Sequence, residues 1–201
     1  MGLDEVARSM RRNESIIVGR TPGLTAERWF YTDYVTFPYG VHLAQVRVDR
    51  ETGEVKVERY LMTYDVGRAV NPMLVRGQLT GGFVQGLGGA LLEEFAYDEQ
   101  GQPLSTTFAD YLIPTTQEVP NVDVVVTEDA PSPFNPLGIK GAGEGGSNAV
   151  GAAIASAIGD ALGRTSSITH VPVHPLTVWH LLMAESVKPE LPQDARRNRF
   201  R

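Results

Sequence analysis

Residues 71–94 read NPMLVRGQLTGGFVQGLGGALLEE. This stretch predicts a helix, because the Asn71 side chain can accept hydrogen bonds from the first free N–H groups and Pro72 suits the first helical position. The helix would run to about Glu94 and contain six glycines, each of which costs about 1 kcal/mol relative to alanine. So many glycines indicate that another backbone, or a flat ligand, approaches the helix closely.

Strands are predicted on both sides of this helix. Residues 46–49 (VRVD) alternate apolar and charged side chains, residues 51–54 (ETGE) suit a turn, and the alternation resumes in residues 55–64. This pattern indicates a β-hairpin with one face in water. A second hairpin is expected around residues 98–101, and residues 121–128 (NVDVVVTE) predict a well-buried strand.

Another helix is predicted from about Ser147, where apolar residues recur at intervals of four and Gly163 provides a stop. Those apolar positions are Val150, Ile154, Ile158 and Leu162. Most other positions in it are alanine, which indicates a close-packed interior helix. The remaining predicted elements are a helix at residues 3–10, a strand at 16–18, a loop at 20–40 and a short helix at 175–184.

Strands and helices mix along the chain without regular βαβ alternation or an internal repeat, so the sequence predicts an α+β fold. In this fold, the hairpins of a mixed sheet pack with glycine-rich and alanine-rich buried helices. We expect one domain over residues 1–184, followed by a charged tail over residues 185–201 that ends in RRNRFR.

Composition excludes several classes of protein. The chain has 201 residues, of which 42% are hydrophobic; it has no cysteine and a net charge of −6. The lack of cysteine excludes a disulfide scaffold, a thiolate zinc site and a self-supplied Cys-ligated iron–sulfur cluster. The acidic balance argues against a nucleic-acid partner. No apolar run approaches the roughly 20 residues of a membrane span, so we expect a cytoplasmic protein.

Residues 138–146 read GIKGAGEGG and are the strongest candidate for a chemical site. Glu144 has glycine on both sides and precedes a predicted helix, so its carboxylate could reach into a site as a general base. The alternative is a flexible turn whose carboxylate complements the helix dipole. The stretch also matches G-x-G-x-x-G, but the preceding segment is rich in proline and an acidic side chain would repel a pyrophosphate.

Gln78 and Gln85 lie seven residues apart and therefore on one face of the glycine-rich helix. An amide both donates and accepts hydrogen bonds, which suits a heteroaromatic edge or a phosphate-bearing cofactor. Ordinary polar surface is the alternative for both residues. Asp65 precedes a glycine and Arg68, and a structural ion pair between Asp65 and Arg68 is expected.

Several segments follow one another in a recognisable order. They are the first hairpin, DVGRAVNP at 65–72, GQ at 77–78, GFVQGLG at 82–88, DY at 110–111 with PT at 114–115, and KGAGEG at 140–145. This series resembles the C-terminal part of the molybdenum-binding large subunit of the xanthine dehydrogenase, aldehyde oxidase and carbon monoxide dehydrogenase family. The resemblance extends to about Ala184, although the family's large subunit is several times longer.

The resemblance implies a site in which molybdenum is held by a pterin cofactor and by no protein side chain. Glu144 matches the family's catalytic base. The implied cofactor-binding residues are Gln78, Gln85, Lys140, Ala142 and Gly143. The Gly-Glu-Gly-Gly form of the loop looks like that of bacterial members, which favours a cofactor that carries a cytosine dinucleotide.

The resemblance also implies a subunit that helps to hydroxylate an electron-poor carbon of an N-heterocycle or aldehyde, with water as the oxygen source. Expected partners are a larger molybdopterin-binding chain, an iron–sulfur subunit, an FAD subunit and a small-molecule substrate. Because only the C-terminal part of the family's subunit is matched, this chain alone should neither hold the cofactor firmly nor turn over. The alternatives are a non-catalytic assembly module and a free-standing nucleotide binder.

Overall fold

The computed structural model describes residues 2–9, 27–164 and 168–186. The chain divides into two compact units, residues 1–35 and 36–201. In the first unit, helix α1 spans Leu3–Ser9, as predicted, and residues 27–35 form neither helix nor strand. The predicted strand at 16–18 lies outside the described residues, as does the tail from residue 187 onward.

The second unit is built on a three-stranded sheet of order β1-β2-β3. Strands β1 (Tyr39–Val48) and β2 (Val55–Asp65) are antiparallel and form the predicted hairpin. Its turn is stabilised by the Asp49 carboxylate, which accepts hydrogen bonds from the backbone N–H groups of residues 51 and 52. Strand β3 (Val122–Thr127) pairs in parallel with β2, so residues 60–65 of β2 are central in the sheet.

The described part of this unit contains four helices: α2 (Pro72–Leu91), α3 (Gly145–Asn148), α4 (Val150–Ala161) and α5 (Pro175–Ser186). The predicted cap of α2 is confirmed, since Asn71 Oδ1 accepts a hydrogen bond of 3.1 Å from Leu74 N. Helix α2 ends before Glu94, because the N–H groups of both residues 92 and 93 bond to the carbonyl of Gly88 and close the last turn.

The core lies between one face of the sheet and helices α2 and α4. Fully buried residues from these elements are Tyr60 and Met62 of β2, Leu79, Phe83 and Leu87 of α2, and Val150, Ile154 and Ile158 of α4. The four-residue apolar spacing of α4 therefore marks its buried face, as predicted. Gly163 ends the helix region with φ +63°, a conformation that glycine adopts readily.

Three predictions of burial and pairing are wrong. Strand β3 is only half-buried, with Asp123 and Val125 exposed, because it pairs with β2 on one side and has no second strand partner among the described residues. Helices α2 and α4 are each buried on one face and exposed on the other, as Gly81 and Ala152 illustrate. The second hairpin reduces to a turn closed by one bridge, between residues 97 and 103.

The second face of the sheet carries several exposed apolar side chains, beside polar ones such as Asp123, which pairs with Leu61. Val41, Thr63 and Val125 form a row across the three strands, and Leu43 lies opposite Leu61 in the next row. Val41, Leu43 and Val125 are 56%, 58% and 47% exposed. Exposed apolar side chains next to one another on a sheet face favour burial against another protein layer. Within the described residues, no helix is both long and apolar enough to cross a bilayer.

Candidate functional site

An open cavity of about 310 Å³ lies between α2 and the residues that lead into α3. Its lining consists of Gly77, Gln78, Gly81, Gly82 and Gln85 from α2 and Gly143, Glu144 and Ser147 from the second glycine-rich segment. Four residues that the sequence singled out, Gln78, Gln85, Gly143 and Glu144, are thus brought to one place. A larger cavity of about 510 Å³ lies beside the end of α2 and contains none of these four.

The glycines of α2 fall into two groups with different surroundings. A Cβ atom at Gly82 would lie 3.0 Å from the backbone of Gly146, and one at Gly86 would lie 2.6 Å from Val150 Cβ. These glycines allow the second glycine-rich segment and α4 to pack directly on α2, which confirms the predicted close approach of another backbone. A Cβ at Gly77 or Gly81 would meet nothing within 4 Å, so these two leave the cavity open.

Asp65, at the end of β2, anchors the segment that carries Glu144. Its side chain is 4% exposed, and Oδ1 accepts hydrogen bonds from Lys140 Nζ (2.8 Å) and Gly67 N (2.9 Å). Oδ2 accepts one from Ala130 N (2.8 Å). The expected pair between Asp65 and Arg68 is therefore wrong: Lys140 reaches the buried carboxylate from inside, whereas Arg68 is exposed.

These contacts control the ionisation of Asp65. Burial by itself raises the pKa of the carboxyl group, but the hydrogen bonds from Lys140, Gly67 and Ala130 outweigh burial and lower the pKa to about 2. The Lys140 side chain is 9% exposed. Its Nζ atom also lies 4.3 Å from the centre of the Tyr39 ring. The ammonium group thus has two partners within the protein and does not line the cavity.

Backbone hydrogen bonds fix the base of the same segment. Lys140 N donates to the carbonyl of Val66 (2.9 Å), and Arg68 N donates to that of Gly138 (3.0 Å). The Asn135 side chain makes a reciprocal pair with the backbone of Ile139, at 2.9 Å in each direction. The segment is therefore held firmly up to Lys140 and extends from there toward the cavity.

Glu144 lies at the cavity with an exposed side chain. It occupies the N-cap position of α3, yet its carboxylate makes no capping hydrogen bond. Its backbone carbonyl accepts hydrogen bonds from Ser147 N and Ser147 Oγ, both at 3.1 Å. The carboxylate is thus free of the capping role and borders the cavity, while its position at the start of α3 also agrees with the alternative in which it complements the helix dipole.

Two neighbours of Glu144 differ in position. A Cβ atom at Gly143 would lie 3.8 Å from Gln78 Oε1, so the Gly143 backbone and the Gln78 amide are adjacent across the cavity. Ala142 is half-buried and packs against the hydrophobic core instead of lining the cavity. Among the described residues, no cluster of three His, Asp or Glu side chains could hold a metal ion.

Sequence reasoning missed one contact beside the site. The Tyr64 hydroxyl, from the end of β2, donates a hydrogen bond of 2.6 Å to the carbonyl of Gly145, the residue that follows Glu144. The two residues lie 81 positions apart, and no local pattern connects them. The only hint in the sequence was the alternation of side chains along β2, which places Tyr64 on the same buried face of the sheet as Tyr60 and Met62.

Comparison with known proteins gives a consistent result. The family described as molybdopterin cofactor-binding domain matches residues 2–120. The gamma subunit of the 6-hydroxypseudooxynicotine dehydrogenase complex of Paenarthrobacter nicotinovorans is 51% identical over 158 residues, which are 79% of this chain and 20% of that subunit. The carbon monoxide dehydrogenase large chain of Hydrogenophaga pseudoflava is 40% identical over 128 residues, 63% of this chain and 16% of that one.

Solved structures agree with these matches. Cu,Mo-CO dehydrogenase superposes with a TM-score of 0.81 and 28% identity, over 94% of this chain and 24% of that chain. Quinoline 2-oxidoreductase from Pseudomonas putida 86 gives a TM-score of 0.68 and 40% identity, over 72% of this chain and 18% of that chain. The chain spans about a fifth of the length of the curated relatives it matches. It belongs to the molybdopterin cofactor-binding domain family and corresponds to the C-terminal part of the large subunit of the xanthine dehydrogenase family.

Proposed function

We propose that this chain is a subunit of a molybdenum hydroxylase and completes an active site that it shares with a larger, molybdopterin-binding chain. The observation that carries the proposal is the cavity at which Gln78 and Gln85 of α2 meet Gly143 and Glu144. Two amides, an accessible backbone and an unpaired carboxylate suit a polar cofactor beside a proton acceptor. The family match supports the pterin type of cofactor.

The cavity leaves room for a cofactor to approach α2. Gly77 and Gly81 leave open space in front of α2, where any side chain would project into the cavity. When bound, a molybdenum–pterin cofactor supplies a redox centre that takes two electrons from the substrate. Gln78 and Gln85 would hold its polar edges by hydrogen bonds, and the backbone of Gly143 would lie against it.

Lys140 and Ala142 contribute in a different way from the other predicted cofactor residues. The Lys140 ammonium is engaged by Asp65 and the Tyr39 ring, and Ala142 packs on the core. We therefore assign both to holding the segment in place, so that Gly143 and Glu144 reach the cavity. The Lys140 side chain is only 9% exposed and does not line the cavity, so its position favours the anchoring role over direct contact with the cofactor.

Glu144 is proposed as the general base. Its carboxylate faces the cavity and has no protein hydrogen-bond donor or cation bound to it among the described residues. It can therefore accept a proton, at one of its two oxygens, from the oxygen that attacks the substrate carbon. Glycine on both sides keeps bulky groups away from this carboxylate.

The substrate proposed is a small molecule with an electron-poor carbon, of the N-heterocycle or aldehyde class. Names of relatives support this class: one is the nicotine 6-hydroxylase large subunit of Paenarthrobacter nicotinovorans, 38% identical over 152 residues. Another is the molybdenum-binding subunit PaoC of an Escherichia coli aldehyde oxidoreductase, 34% identical over 151 residues. Water would supply the oxygen.

The proposed complex is cytoplasmic and contains the larger molybdopterin-binding chain, an iron–sulfur subunit and an FAD subunit, with a cytosine dinucleotide on the pterin. One observation supports a larger partner: Val41, Leu43 and Val125, on the outer face of the sheet, are apolar and exposed. An exposed face of this kind favours burial against another protein layer.

Native purification tests this proposal. We expect the chain to co-purify with a larger pterin-binding chain and an iron–sulfur subunit, and to contain molybdenum in stoichiometric amount. Molybdenum and iron are measured by elemental analysis, and the co-purifying chains by mass spectrometry. A chain that purifies alone and without molybdenum would contradict the proposal and point to a fragment of a longer subunit or to an assembly module.

The two groups of α2 glycines provide a matched pair of variants. Gly81→Ala and Gly89→Ala should each raise helix stability by about 1 kcal/mol, because a Cβ at either position meets nothing within 4 Å. Only Gly81 lines the cavity. We therefore expect Gly81→Ala to lower the affinity of the assembled complex for molybdenum cofactor about tenfold and Gly89→Ala to leave it unchanged.

Thermal unfolding and molybdenum content of the purified complex measure the two effects. Equal molybdenum content in both variants would show that the cofactor does not approach α2 at Gly81. If Gly89→Ala lowered the thermal stability of the complex, a partner chain would occupy the space beside Gly89 that is open in this chain.

A further inference from the structure

Three aromatic side chains form a continuous hydrogen-bonded chain that ends beside Glu144. The Tyr64 hydroxyl is 2.6 Å from the carbonyl oxygen of Gly145. His42 of β1 contacts both tyrosines: Nε2 lies 3.0 Å from the Tyr64 hydroxyl and Nδ1 lies 2.7 Å from the Tyr60 hydroxyl. Tyr60 and Tyr64 are buried and His42 is half-buried, so the chain connects the sheet interior to the site.

The direction of every hydrogen bond in this chain follows from chemistry. A carbonyl oxygen can only accept, so the Tyr64 hydroxyl proton is committed to Gly145. His42 Nε2 must then donate to the Tyr64 oxygen. A neutral imidazole has one N–H group, so Nδ1 accepts from the Tyr60 hydroxyl. All donors therefore point from Tyr60 toward Gly145, an arrangement in which successive hydrogen bonds polarise one another.

The surroundings of His42 agree with a neutral ring. Burial lowers the pKa of His42, and the nearby Gly145 carbonyl offsets this only in part. A second proton would turn Nδ1 into a donor and leave the buried Tyr60 hydroxyl without its acceptor. Burial also raises the pKa of Tyr64, so its hydroxyl keeps the proton that it donates to Gly145.

The contact with Gly145 bears on Glu144 because the Gly145 carbonyl belongs to the next peptide group along the chain, so holding it restrains the backbone immediately after Glu144. The Glu144 carboxylate makes no capping hydrogen bond, so its direction depends on its own backbone. That backbone is held at Gly145 by the Tyr64 hydroxyl, and a Cβ at Gly145 would lie 3.0 Å from the Tyr64 ring. Tyr64 thus supports the residue after Glu144 through both its ring and its hydroxyl.

We infer that Tyr64 and His42 are positioning residues, which hold the backbone after Glu144 so that the Glu144 carboxylate faces the cavity. This inference rests on the proposed function, in which Glu144 is the general base. Tyr60 orients the His42 ring from the other side. None of the three side chains lines the cavity, so their effect is exerted through Gly145.

Tyr64→Phe in the assembled complex tests the inference. The variant keeps the ring and removes the hydroxyl, so Glu144 loses one backbone restraint while the core remains filled. We expect kcat to fall about ten- to a hundredfold, since a small displacement of a catalytic group has effects of this size. KM should stay within about twofold, because no substrate contact is removed.

Tyr111→Phe is the matched control. It also removes a tyrosine hydroxyl, which makes one hydrogen bond of 2.7 Å to Glu93 where the Tyr64 hydroxyl makes two, at a position away from the cavity. We expect it to leave kcat unchanged. Thermal unfolding of both variants shows whether a lost hydroxyl acts on stability alone. Equal kcat values in Tyr64→Phe and Tyr111→Phe would overturn the inference.

The ring of His42 provides a second measurement that requires no activity. In the unsubstituted 201-residue chain, ¹⁵N NMR at pH 7 should show His42 neutral and protonated at Nε2. A neutral ring with its proton at Nδ1 would overturn the inference, because Nε2 could then not donate to the Tyr64 hydroxyl.

Failure of the proposed function is distinguishable from failure of this inference. If Glu144→Gln abolishes turnover while Tyr64→Phe retains it, the positioning role is wrong and the proposed function stands. If Glu144→Gln retains full turnover, Glu144 is not the base and the positioning role is overturned together with it.

Discussion

Glu144→Gln is expected to lower kcat of the assembled enzyme by about 10²- to 10⁴-fold, the range for loss of one general base. Glutamine has the shape of glutamate but cannot accept the proton. The side chain is exposed and makes no capping hydrogen bond, so the substitution should leave folding and assembly intact. Steady-state turnover per molybdenum atom measures the effect and corrects for any difference in cofactor content.

Glu99→Gln is the control for this variant. Glu99 is an exposed carboxylate on the turn at residues 98–101, and its loss should leave turnover unchanged. If the Glu144→Gln complex is as active as the Glu99→Gln complex, the chain is a non-catalytic assembly module. The two classes of function are thus separated by one pair of purifications.

Elements that depend on neighbouring residues could be predicted from the sequence. The Asn71 cap, the turn of the first hairpin and the buried face of α4 each depend on residues within a few positions of one another. In each case the local chemistry and the tertiary fold favour the same structure, which is why the predictions are confirmed. The end of α2 differs by a few residues, because the N–H group of Glu93 bonds to the carbonyl of Gly88, five residues back, and so leaves the helical pattern.

Contacts between distant residues could not be predicted in this way. Strand β3 follows α2 in the sequence and pairs in parallel with β2. Nothing in the apolar run of β3 indicates that this strand lies at an edge of the sheet. Asp65 has a basic residue three positions away, yet it pairs with Lys140, 75 positions away. A local pattern favours the nearer cation, whereas burial selects the one whose side chain points inward.

The candidate site combines both kinds of information. Helical spacing alone places Gln78 and Gln85 on one face of α2, but only the fold brings Glu144 to that face. The glycines of α2 have two roles that composition cannot separate. Gly82 lies against the backbone of Gly146 and Gly86 against Val150 of α4, whereas Gly81 faces open space. The cofactor-binding role of Lys140 stays a prediction from resemblance, and its position favours an anchoring role instead.

Lys140→Met should destabilise the chain by about 3 kcal/mol at pH 7, because it leaves a buried carboxylate without its cation. Asp65 would retain the N–H groups of Gly67 and Ala130, which do not neutralise the charge. Urea unfolding gives the free energy. Lys56→Met is the control, since Lys56 is exposed and its replacement should change stability by less than about 0.5 kcal/mol.

The dependence on pH identifies the cause of this loss. The folded pKa of Asp65 is about 2, below its ordinary value of 3.8, so Asp65 adds stability above about pH 4 that disappears as the pH falls through 2. Removing Lys140 raises the folded pKa, so the difference between Lys140→Met and the unsubstituted chain should be largest at pH 7 and shrink between pH 4 and pH 2. A penalty that is the same at pH 7 and pH 2 would mean that Lys140 acts by packing and not by charge. Adding Asp65→Asn to Lys140→Met should then recover part of the lost stability at pH 7, because the double variant has no buried charge to leave unpaired.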